Sequence, residues 1–191
     1  TDAAHYGRLD VVDVLLKHGA DMTVRDRRWG STAMHEAVRM GHRSVVDLFL
    51  SKGFPLQATG AELVFAGAAS GRKEIVELLV KHGAEIDAKA ANGHTPLHIA
   101  VFMGYAEVVG YLIEAGADVR TTTENGGTLL HSAVERGRSE MVELLMAKKV
   151  PFAEQNHAGL TPLELAEELG RTEIAGLLRA ESRRPDSELV D

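Results

Sequence analysis

At 191 residues and 45% hydrophobic content, the chain can bury a sizeable core, and only 5% aromatic residues favours close helix packing by Ala, Leu and Val. Its formal net charge of −7 argues against nucleic acid as the main partner, because phosphate contacts need a basic face. The absence of cysteine excludes disulfides and thiolate metal sites and fits a reducing compartment. No apolar run approaches the roughly 20 residues of a membrane span, so an intracellular protein, cytoplasmic or nuclear, is expected.

In chain order, Thr1 to Tyr6 read as the end of a helix that Gly7 stops. Leu9 to His18 read as a second helix with Val11, Val12, Leu15 and Leu16 on a broad apolar face. Gly19 follows as a left-handed cap. Thr1 falls inside this first unit, so the natural N-terminus is expected to lie upstream. A second helix pair is expected near Ala33 to Met40 and Ser44 to Ser51, closed by Gly53.

The next stretch is irregular. Gly41 to Gly71 spans 30 residues, and Glu62-Leu63-Val64-Phe65 stands where other units carry a Thr-Pro-type cap. A shortened turn over Phe54 to Ala61 is expected, with weak protection of the amides from Phe54 to Phe65. Regularity then returns: Thr95-Pro-Leu-His, Thr128-Leu-Leu-His and Thr161-Pro-Leu-Glu follow each other at 33 residues, as do Gly71, Gly104, Gly137 and Gly170. Threonine can accept a free N–H of the first turn, and proline suits the first helical position. Asn92-Gly93, Asn125-Gly126-Gly127 and Ala158-Gly159 mark hairpin-like turns ahead of these helices. Lys149 occupies a place where glycine would cap a helix. From Ala180 onward the polar sequence AESRRPDSELVD reads as a disordered tail.

A fixed period of this size signals stacked supersecondary units. The repeated turn, Thr-Pro-Leu-His, Gly, Val-Val, Leu-Leu, Gly-Ala-Asp pattern resembles the ankyrin repeat from the first residue to about Arg179. The resemblance implies an all-α solenoid of stacked helix-turn-helix units with short hairpin-like turns, about six repeats with the first partial. The units fall at about 1–25, 26–57, 58–88, 89–121, 122–154 and 155–179, with 180–191 as the tail. It also implies that His35, His98 and His131 bond turn backbone and neighbouring repeats.

No catalytic constellation stands out. His94 and His98 are four apart, the spacing of paired zinc ligands on a helix, but Thr95-Pro96 starts the helix between them, so the rings need not face each other. His35-Glu36 begins an HExxH look-alike whose fifth position is Arg39. Neighbouring His131 and Ser132 diverge by about 100° on a helix. No metal, cofactor or enzymatic activity is expected.

Function should then sit where the repeats vary. The resemblance places turn tips and exposed first-helix residues along one concave groove, here Tyr6, Arg39, Met40, Ser70, Phe102, Met103, Glu135 and Arg136, with Arg28, Trp29, Asn92 and His94 on the turns. Trp, Met and Arg are favoured at interface centres. Residues 1–60 carry 8 Lys/Arg against 7 Asp/Glu and the remainder 13 against 21, so the groove is expected to run from basic to acidic. The expected function is binding of a partner protein segment by a monomer; the alternative is a regulatory or targeting domain of a larger enzyme, channel or effector protein.

Overall fold

The computed structural model describes residues 1–183, in which every regular element is a helix. The first helices of the units are α1 (Asp2–His5), α3 (Ala33–Met40), α5 (Leu56–Ala69), α7 (Pro96–Met103), α9 (Leu129–Glu135) and α11 (Pro162–Glu168). The second helices are α2 (Leu9–Lys17), α4 (Arg43–Ser51), α6 (Lys73–Lys81), α8 (Ala106–Glu114), α10 (Ser139–Ala147) and α12 (Thr172–Ser182). Each first helix packs on its neighbours in the first-helix row, and second helices form a parallel row behind it. One continuous core of aliphatic side chains runs between the rows. None of the described helices is long and apolar enough to cross a membrane.

Four threonines start first helices by one mechanism. The hydroxyls of Thr32, Thr95, Thr128 and Thr161 accept from the N–H groups of His35, His98, His131 and Glu164, whose side chains accept from the threonine N–H in return. Histidine Nδ1 thus fills the role that a carboxylate plays in an ordinary capping box. Because Nδ1 accepts, Nε2 carries the proton, which His131 and His35 use toward the next unit while that of His98 is buried. His131 spends that donor on the Leu160 carbonyl of the next unit at 2.9 Å. His35 reaches Glu62 at 3.1 Å.

A second ladder joins the ends of the first helices. The residue after a cap glycine reaches back to a carbonyl in the preceding unit: His42 to His5 O at 2.8 Å, Arg138 to Phe102 O at 3.2 Å, Arg171 to Glu135 O at 3.5 Å. These side chains lie across the glycine of that unit. At Gly104 the backbone is left-handed at φ +82, and an added Cβ would collide with the Arg138 guanidinium. Glycine there serves both cap geometry and stacking. Lys149 adopts the same left-handed backbone with φ 57, the described residues' one non-glycine case.

Three expectations are corrected. The third unit has no shortened turn; helix α5 runs 14 residues and takes its place. Leu56 to Ala69 contains no proline, asparagine or aspartate to fold a turn, and Phe54, Leu56, Leu63 and Val64 are buried. Gly60 lets Ala84 approach, where an added Cβ would sit 3.1 Å from its methyl group. Glu62 on α5 then receives His35, which at a regular junction would meet a turn carbonyl. Hydrogen exchange should accordingly be fast only in the first turn of α5, which lacks a side-chain cap. Amides from Leu63 to Phe65 should be protected like those from His98 to Ala100, and rapid exchange there would show that the extended helix does not form.

The expected tail does not begin at Ala180, since α12 carries Ala180 to Ser182. Residues 184–191 lie outside the described residues. Lastly, the apolar face of α2 is only half used: Val12 is buried and Leu16 packs on the core, but Val11 and Leu15 remain exposed.

Candidate binding surface

The turns of the last three units are tied into one row. Ala90 N–H bonds His94 O, Thr123 N–H bonds Gly127 O and Asn156 N–H bonds Leu160 O, closing each turn at 2.9 to 3.0 Å. Across units, Glu124 N–H donates to Asn92 O at 3.3 Å and His157 N–H to Asn125 O at 2.8 Å. The second unit's turn stands apart from this row because α5 replaces the turn between. It is instead built by Asp26, whose carboxylate accepts from the N–H groups of Arg28, Trp29 and Ser31 at 2.8, 2.7 and 2.9 Å. Arg25 pins it to α5 by bonding Gly30 O at 2.8 Å and Glu62 at 2.9 Å.

On this turn Trp29 is 74% exposed, with the Arg28 guanidinium 5.3 Å from its ring centroid. Tyr6, at the end of α1, is 67% exposed, its ring edge against His5 and Arg8 nearby. Neither Tyr6 nor Trp29 belongs to the core. The expected apolar strip does not continue at the same height: Met40, Phe102 and Met103 are half-buried. The Arg136 guanidinium covers the Phe102 ring at 4.1 Å. Ser70 is half-buried at the end of α5, Asn92 is exposed with its carbonyl engaged by Glu124, and Glu135 is exposed.

Two carboxylates organise the basic end. Glu36 accepts from His5 at 2.9 Å and pairs with Arg39, so Arg39 is held rather than free. Burial pushes the Glu36 carboxyl up, but the His5 hydrogen bond and the Arg39 charge outweigh it and leave it below the usual carboxylate value. At Glu62 burial is likewise overcome by Arg25 and His35. His35 itself is lowered by burial, with Glu62 opposing.

His94 and His98 pack edge to face at 5.8 Å between ring centroids, closer than the interrupted helix suggested. The turn folds His94 back over the helix start. His94 Nδ1 and His98 Nε2 are both buried without a hydrogen-bond partner. Burial first, and then the His94 charge, depress the His98 imidazole to about 4. His94 turns its ring inward and offers a partner less than the sequence implied. Among the described residues no three His, Cys, Asp or Glu side chains come together to hold a metal. Zinc titration calorimetry at neutral pH should therefore show no tight site; a submicromolar site lost in His94→Ala would overturn this.

Models of ankyrin repeats match residues 1–50, 56–123 and 115–188. The chain belongs to the ankyrin-repeat family. Among proteins similar to it, NF-kappa-B inhibitor cactus of Drosophila melanogaster is 32% identical over 121 residues, covering 46% of this chain and 24% of the relative. L-asparaginase of Dirofilaria immitis is 33% identical over 103 residues, 52% of this chain and 17% of the relative. Nuclear factor NF-kappa-B p105 subunit of Mus musculus is 36% identical over 90 residues, 44% of this chain and 9% of the relative. The chain thus spans a quarter or less of each of these relatives. Ankyrin repeats are protein-interaction repeats, and the repeat character was legible in the sequence. The ladder after each cap glycine was not foreseen, although its signal was present as His42, Arg72, Tyr105, Arg138 and Arg171 at one repeat position.

Proposed function

We propose that this chain is a non-catalytic interaction module, working inside the cell, that holds a segment of a partner protein in a groove along its turns and first helices. The observation that carries this reading is Trp29, 74% exposed at a turn tip that Asp26 and Arg25 hold rigid. A rigid, exposed tryptophan presents large contact area with little ordering entropy left to lose. Tyr6 is the other large aromatic exposed among the described residues, and Arg27 and Arg28 directly precede Trp29 on the turn. Glu135 and Glu124 lie toward the other end. The partner segment would set an aromatic or aliphatic anchor beside Trp29, with acidic residues toward the N-terminal units and basic ones toward the C-terminal units.

A second reading is favoured by one observation: the relatives matched are much longer than the chain. The module would then regulate or target a larger protein, such as an enzyme, channel or effector. Photo-crosslinking tests the binding surface. A crosslinker at Trp29 should capture the partner, and one at Glu77 on α6 should not; capture only from α6 would place the surface on the second helices.

A further inference from the structure

The turns of the second, fourth, fifth and sixth units share one register. Gly30, Gly93, Gly126 and Gly159 are all left-handed, with φ between 64 and 78, which aligns Arg28-Trp29 with Ala91-Asn92, Glu124-Asn125 and His157-Ala158. In the regular row, the residue two before this glycine donates its N–H to the carbonyl just before the glycine of the preceding turn, as Glu124 does to Asn92 and His157 to Asn125. The row breaks where α5 replaces a turn. Among the described residues, Ala91 N–H then has no acceptor and the Trp29 carbonyl has no donor. The outer edge of the second unit's turn is treated differently, because Arg28 N–H, the equivalent of Ala91 N–H, is satisfied by the Asp26 carboxylate at 2.8 Å. Ala90, whose N–H closes its turn as that of Asp26 closes the second unit's, has no side chain to do this for Ala91.

A gap one turn wide therefore separates an unused acceptor on Trp29 from an unused donor on Ala91. Packed helices lie roughly 8 to 10 Å apart, so two turns separated by one unit stand about 16 to 20 Å apart, enough for one chain with its side chains. An unpaired backbone edge is a template for another chain's backbone. The charge beside it is positive: Arg27 and Arg28 are exposed, whereas Asp26 is engaged by backbone N–H groups and Glu62 by Arg25 and His35. Resting on the reading that the groove holds a partner segment, we propose that the segment enters this gap as a hairpin-like turn and completes the row. Its carbonyl accepts from Ala91 N–H and its N–H donates to the Trp29 carbonyl. The segment carries a glycine at the left-handed position and an acidic residue at the place of Glu124, where it meets Arg27 and Arg28.

The probe is a head-to-tail cyclic peptide copying residues 119–128, in which Glu124 and Asn125 supply the two groups that already make these bonds within the protein. In the free chain the Ala91 amide should exchange at least about tenfold faster than those of Glu124 and His157, and saturating peptide should slow it by a similar factor. Ala91 is the second residue of a turn closed by Gly93 N–H to Ala90 O, a position that accepts proline. Ala91→Pro thus deletes the donor but keeps the turn, and it should weaken peptide binding at least about tenfold with an unchanged melting temperature. Slow exchange of Ala91 in the free chain, or no saturable shift of its amide resonance at millimolar peptide, would overturn the proposal. Full affinity in Ala91→Pro with weakened binding in Trp29→Ala would overturn the completed row and leave the groove standing. Capture of the partner only from Glu77 would overturn both.

Discussion

Lowering the pH from 7 to 5 is expected to remove about 2 kcal/mol of folding stability through His98 alone. The imidazole titrates near 6.5 in the unfolded chain and at about 4 in the fold, where burial and His94 disfavour its charge. Protons then bind the unfolded chain preferentially between those values. The contribution is fully present above about 6.5 and is lost as pH falls toward the folded value. His35, also depressed, acts with the same sign. Glu36 and Glu62 are lowered carboxylates whose contributions disappear only in stronger acid, so the window from 7 to 5 isolates the histidines. Denaturant melts at both pH values check the size of the loss. His98→Gln keeps an acceptor for the Thr95 N–H but cannot titrate, and it should flatten most of the pH dependence. An undiminished slope in that variant would remove His98 from the account.

Truncation of Trp29 to Ala should weaken partner binding by roughly 2 kcal/mol, about thirtyfold, while leaving the melting temperature nearly unchanged. The side chain is exposed, and the turn is held by Asp26 and Arg25 whether or not the indole is present. Phe102→Ala is a less clean probe, because the ring is half-buried under Arg136 and its loss also disturbs packing. Titration calorimetry with the crosslinked partner segment measures both. Unchanged affinity in Trp29→Ala, together with loss of binding on substitution of exposed residues in α6 or α8, would move the binding surface to the second helices.

The repeat register was legible in the sequence because its signals are local. A threonine cap, a histidine three residues on and a glycine at the helix end act within one turn, and their recurrence every 33 residues needs no knowledge of the neighbours. Composition alone also excluded disulfide staples and thiolate metal sites. What required the tertiary structure depends on what lies across a junction. Helix α5 extends because Leu56 and Phe54 find a core to enter, which no local rule announces. Phe102 is covered because Arg136 comes from the next unit, and Arg39 is held because Glu36 is shared with His5 of the unit before. His98 loses its basicity through burial under a turn that folds His94 onto it. Val11 and Leu15 read in sequence like every other interface pair; only their position at the end of the stack leaves them facing water. Local hydrogen bonds and period thus determined which units form, whereas exposure, charge pairing and the surface open to a partner were decided by which side chains adjacent units bring together.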